Sequence, residues 1–80
     1  FNPTTSISFT LAKPGKTTLT IYNLKGQQIK RLVNEELPSG MHNVVWNGKD
    51  EKGRNVASGV YFYRLQSGNY QATQKMLLMK

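Results

Sequence analysis

Apolar and polar residues alternate along most of this chain with the two-residue period that turns one side of a β-strand to a core and the other to water. Ile7, Phe9 and Leu11 share one face of a first strand, with Ser6, Ser8 and Thr10 opposite. Leu19 and Ile21 repeat the pattern within Thr17–Asn23, among the β-favouring Thr18, Thr20 and Tyr22. Gly40–Trp46 sets His42, Val44 and Trp46 on one side. Val60–Leu65 sets Tyr61, Tyr63 and Leu65 against Val60, Phe62 and Arg64. Tyr70–Met79 starts by alternating and ends as the apolar run Met76-Leu77-Leu78-Met79. A short further strand is expected at Asn55-Val56-Ala57.

One stretch reads two ways. Ile29, Leu32, Val33 and Leu37 fall at helical spacing, and no Gly or Pro interrupts Gln27–Leu37. A strand through Gln28–Val33 would instead close a hairpin with Thr17–Asn23, and the neighbours favour that reading.

Turn signals recur about every 8–12 residues, the rhythm of a sandwich or barrel. Lys13-Pro14-Gly15-Lys16 suits a type II turn, with Pro fixing the first central φ and Gly accepting a positive second one. Asn23-Leu24-Lys25-Gly26 and Asp50-Glu51-Lys52-Gly53 each put a side-chain acceptor first and Gly fourth, the type I pattern. The expected fold is an all-β, immunoglobulin-like antiparallel β-sandwich of about seven strands.

Composition narrows the possibilities. A length of 80 residues makes one domain, spanning 1–80. There is no cysteine, so stability has to come from packing. No apolar run approaches the roughly 20 residues of a membrane-spanning helix. Net charge is +7, but the eleven Lys and Arg residues are scattered singly, mostly beside turns. That distribution reads as a solvated surface, and neither an RNA-binding aromatic motif nor a helix-turn-helix pattern accompanies it, so no nucleic-acid partner is expected.

Candidate chemistry is sparse. His42 is the sole His, and the carboxylates are only Glu35, Glu36, Asp50 and Glu51, which makes a three- or four-ligand metal site hard to assemble. No Ser–His–acid spacing supports a triad. Adjacent carboxylates at a turn tip do not flank a bond as glycosidase pairs do. No cofactor and no enzymatic activity are expected. Asp50 reads as a turn former, with weak Ca²⁺ binding as the alternative, and His42 as a partly buried ring bonded to a loop carbonyl. Trp46 reads as core; the alternative is an exposed stacking platform shared with Tyr22, Tyr63 and Tyr70. Tyr61, directly after Ser58-Gly59, resembles a tyrosine corner whose hydroxyl pins the loop upstream. In the tail, either Met76 and Leu78 or Leu77 and Met79 turn inward, depending on register. A terminal edge strand there could be recognised by strand addition.

Some stretches carry a family resemblance. Asn2-Pro3-Thr4-Thr5 leading into Ile7-Ser8-Phe9, then Leu19-Thr20-Ile21-Tyr22-Asn23-Leu24-Lys25-Gly26-Gln27, resembles the C-terminal sorting domains of type IX secretion cargo. So does the ending Lys75-Met76-Leu77-Leu78-Met79-Lys80. The middle, from Gly40 through Trp46 to Asp50, with Gly53 and Val56-Ala57-Ser58-Gly59-Val60-Tyr61, is similar to the related immunoglobulin-like domain of the flagellar hook-capping protein. The long Trp46–Arg54 connection is closer to that relative.

The resemblance implies a role and no reaction. It implies the last module of a larger secreted protein, with a cargo domain on its N-terminal side. Its partners would be the outer-membrane export machinery and, in members that are cleaved, a sortase-like surface protease. The destination would be the cell surface or medium, reached through the periplasm. The residues it marks for sorting are Gly59, Val60, Tyr61, Lys75, Met76, Leu77, Leu78, Met79 and Lys80; Gly40, His42, Trp46, Asp50, Gly53 and Tyr61 are structural. Two other roles compete: an immunoglobulin-like assembly or spacer domain, and a carbohydrate-binding module that would need Tyr22, Tyr63 and Tyr70 together on one exposed face.

Overall fold

The computed structural model describes residues 4–79. Six strands follow in chain order: β1 (Thr5–Leu11), β2 (Gly15–Tyr22), β3 (Gln28–Leu37), β4 (Gly40–Trp46), β5 (Gly59–Ser67) and β6 (Tyr70–Leu78). They form two antiparallel sheets, a pair β1-β4 and a four-stranded sheet ordered β3-β2-β5-β6. The alternation read from the sequence closes them face to face. Ile7 and Trp46 from the pair pack with Leu19, Ile21, Tyr61, Leu65 and Leu78 from the larger sheet, all buried, and Leu11 of β1 is buried as well. Fully burying an aromatic of this size removes about 150–250 Å² from water, and Trp46 is 0% exposed.

The ambiguous stretch is a strand, and its helical spacing has a physical origin. Against β2 the register skips Leu32 between the pairs Leu19↔Val33 and Thr20↔Arg31, and skips Ile29 between Ile21↔Lys30 and Tyr22↔Gln28. Each skipped residue is a bulge, which shifts the side-chain alternation by one. Ile29, Leu32 and Val33 can therefore all pack against the core. The strand also runs on to Leu37, four residues beyond the expected end.

Two expectations need correction. The seventh strand at Asn55–Ala57 reduces to one isolated bridge, Lys49↔Asn55, with Val56 N–H bonded to the Gly48 carbonyl at 3.0 Å. There is too little chain between the Trp46 and Gly59 ends for a full strand beside the turn. Lys13–Lys16 is no type II turn, because Gly15 does not have a positive φ and already begins β2 opposite Leu37. The connection crosses from one sheet to the other, so it arches where a hairpin would have reversed.

The two acceptor-first turns share one geometry. Asn23 Oδ1 accepts from Lys25 N–H and Gln27 N–H, both at 2.9 Å. Asp50 Oδ1 accepts from Lys52 N–H at 3.0 Å and Arg54 N–H at 2.9 Å. In each turn the fourth-position Gly is left-handed, Gly26 at φ 82° and Gly53 at φ 79°, and its N–H returns to the first residue's carbonyl at 3.0 Å. A Cβ at either position would meet open space, so the conformation and not crowding selects Gly.

Candidate functional site

The two segments that the resemblance associates with sorting lie side by side. Gly59 pairs with Leu78, Val60 with Leu77 and Tyr61 with Met76, so the start of β5 and the end of β6 form one antiparallel patch. Within it the faces divide cleanly. Tyr61 and Leu78 are buried and Met76 is half-buried, whereas Lys75 is exposed, as are Leu77 and Met79 at 57% and 71%. Lys80 lies outside the described residues.

β6 is an edge strand, paired only with β5. An edge presents unpaired N–H and C=O groups that another strand can complete. The opposite edge of the same sheet, β3, differs: its bulged Ile29 carbonyl accepts the Glu51 N–H at 3.2 Å. The Asp50–Gly53 turn is thus tethered over β3, while no comparable bond covers β6 among the described residues.

Around this patch the remaining candidates serve the frame. Tyr61 donates its hydroxyl to the Ala57 carbonyl at 2.6 Å, and burial raises its phenol above the ordinary range. Its ring meets Trp46 edge to face, 5.2 Å between centroids. Trp46 Nε1 donates to the Lys49 carbonyl at 3.0 Å, which fixes the start of the long connection. His42 Nε2 lies 2.8 Å from the Pro38 carbonyl, and the ring stacks on Phe9 at 5.4 Å. Gly40 opens β4 opposite Leu11.

Asp50 has both oxygens engaged, since Oδ2 also accepts Arg54 Nε at 3.1 Å. Its carboxyl is held below the ordinary carboxylate value, first by the Arg54 backbone N–H, then by the Lys52 N–H and the Arg54 guanidinium, with partial desolvation opposing them. Among the described residues no three His, Cys, Asp or Glu side chains cluster as metal ligands, and no helix is long and apolar enough to cross a membrane.

The aromatics proposed as a sugar platform do not come together. Tyr22 sits beside Phe62 on the face of the larger sheet turned away from β1 and β4. Tyr63 packs against the core, and Tyr70 lies exposed at the far end of β6. A residue group with no counterpart in the sequence reading is the outer face around Phe62 and Arg64. The available signal was the placement of acids: all four fall between Glu35 and Glu51.

These features define an immunoglobulin-like β-sandwich module in which β6 is an edge strand that no described strand other than β5 pairs with. The chain belongs to the FlgD Ig-like domain family, which matches residues 1–73. Similar solved structures include FlgD from P. aeruginosa, at 22% identity and a TM-score of 0.75. That match covers 94% of this chain and 58% of the other, so the chain spans a little over half the length of that relative. No curated protein matches the chain.

Proposed function

We propose that this domain is a non-catalytic C-terminal sorting module that directs an attached N-terminal cargo through the type IX outer-membrane export machinery to the cell surface. The observation that carries the reading is the pairing of Gly59-Val60-Tyr61 with Met76-Leu77-Leu78 at an edge strand. Two segments distant in sequence become one surface, with main-chain groups available for strand addition and Leu77 available for selection. The residues assigned to recognition are Gly59, Val60, Tyr61 and Lys75 through Lys80. The partners are the export machinery and, where the domain is removed, a sortase-like surface protease. No cofactor takes part. The test fuses Phe1–Lys80 to a periplasmic reporter in a host that has the machinery. The fusion should reach the surface, and deletion of Lys75–Lys80 should leave it in the periplasm. A full-domain fusion that stays periplasmic overturns the reading.

Membership of the FlgD Ig-like family favours a second reading, an assembly or spacer domain. On that reading the parent polypeptide continues into further domains and loss of the chain disrupts an assembly without mislocalising a cargo. Fractionation of cells carrying the deletion separates the two.

A further inference from the structure

The face of the four-stranded sheet turned away from the core is not neutral ground. Along it, the cross-strand row Gln28–Tyr22–Phe62–Lys75 lies next to the row Arg31–Thr20–Arg64–Thr73. Two rings at the centre are therefore bordered by three cations. Val60 and Leu77 pair just beyond them, and Leu24 stands 69% exposed at the adjoining turn. Tyr22, Leu24, Phe62 and Arg64 line a shallow depression of about 400 Å³.

The charge here is one-sided. β2, β5 and β6 contain no Asp or Glu. The ion pair present among the described residues joins Arg54 to Asp50, in the long connection. Arg64 faces a neutral neighbour instead: turned so that its oxygen meets the guanidinium, the Gln71 amide accepts from Nε at 2.8 Å. Among the described residues, Glu36 lies opposite Lys16 at the far end of β3, and the tethered turn sets Glu51 beside Gln28 at the β3 edge, away from Arg64 and Lys75.

We propose that this outer face docks an acidic protein surface, with an apolar centre seated on Tyr22, Phe62 and Leu77 and carboxylates meeting Arg31, Arg64 and Lys75. Charge complementarity selects the acid rim: Arg presents a planar fork suited to carboxylates, and cations on strands β5 and β6 that carry no acid favour an anionic partner. The aliphatic side chains select a protein over a polyanionic glycan or nucleic acid, which would offer Leu24, Val60 and Leu77 no apolar counterpart. The face shares Val60, Lys75 and Leu77 with the sorting patch but extends across β5 and β2 to β3, and it needs no added strand.

The test titrates the 80-residue chain by amide NMR with a helical peptide whose Leu stripe is flanked by Glu. A helix cannot complete the β6 edge, so edge recognition and face recognition stay distinct. The expected result is perturbation centred on Tyr22, Phe62, Arg64 and Leu77, with at least tenfold weaker binding by the same stripe flanked by Lys. Arg64→Glu should weaken binding about tenfold, and Leu24→Ser, at an exposed turn position remote from the core, should weaken it while preserving the unfolding midpoint. Equal binding of both peptides, or no effect from Leu24→Ser and Arg64→Glu in folded protein, overturns the proposal. A heparin oligosaccharide that perturbs the same residues more tightly than the Glu peptide overturns it in favour of an anionic glycan. Export of the reporter fusion by Arg64→Glu bears only on the sorting reading.

Discussion

The Tyr61 hydroxyl sits 2.6 Å from the carbonyl oxygen of Ala57, four residues upstream on the connection that leads into β5. The bond ties the loop to the strand at the point where Tyr61 also meets the edge of Trp46. One buried residue thus fixes a loop, a core ring and the strand that neighbours β6. Tyr61→Phe keeps the ring contact and removes the bond, so unfolding in denaturant should show a loss of about 1 kcal/mol. The same hydroxyl has a raised pKa in the folded state. The unfolded chain therefore ionises first, and wild-type stability should fall as pH rises beyond about 10, the ordinary tyrosine value, by more than it does in Tyr61→Phe. An unchanged midpoint at neutral pH contradicts the assigned bond.

Trp46 couples the core to the long connection through its Nε1 donation to Lys49. Trp46→Phe should keep much of the apolar contact while stranding that carbonyl, at a cost of about 1–3 kcal/mol. Trp46→Ala adds a cavity and should cost about 3–5 kcal/mol, enough to unfold a chain this small. Chemical denaturation orders the two; a Trp46→Phe variant as stable as wild type would mean the indole N–H carries no part of the effect.

Asp50 gives a pH signature. Its pKa is depressed in the folded state, so its stabilising contribution is present above the unfolded value and is lost as pH falls through the folded one. Asp50→Asn keeps an oxygen for the Lys52 and Arg54 N–H groups but does not titrate. The variant should melt below wild type at neutral pH, and the gap should close below about pH 4. Asp50→Ala, which removes every acceptor, should melt lower than Asp50→Asn. A gap that stays constant down to pH 2 would show that the charge is not what stabilises the turn.

Strand existence and facing were legible wherever the period of two was unbroken, as in Ile7–Leu11 or Tyr61–Leu65, because alternation alone decides which side is buried. The Asn23 and Asp50 turns were legible because their side chains make the bonds that define them. Bulges escape such reasoning. Ile29, Leu32 and Val33 mimic a helix because skipped positions shift the alternation, and a skip becomes visible only beside its partner strand. Lys13–Lys16 misled for a related reason, since Pro-Gly marks a break in the chain without saying whether the next strand joins the same sheet. The outer face around Phe62 and Arg64 depends on strands far apart in sequence, and sheet order is what unites them.

Leu77 and Leu78 are adjacent and chemically identical, yet they occupy opposite faces of β6. Leu78 is 1% exposed opposite Gly59, and Leu77 is 57% exposed opposite Val60. Core truncation of a leucine typically costs about 2–5 kcal/mol, whereas a surface change away from special features stays within about 0.5 kcal/mol. Leu78→Ala should therefore lower stability by the first amount and Leu77→Ala by no more than the second. If the end of β6 is read by a partner, Leu77→Ala should instead reduce surface delivery of the fused reporter while leaving the folded domain intact. Because the period is two, a register slip of one residue would exchange the roles of the two leucines. A larger stability loss from Leu77→Ala than from Leu78→Ala would establish that slip and move the recognition surface to the other face.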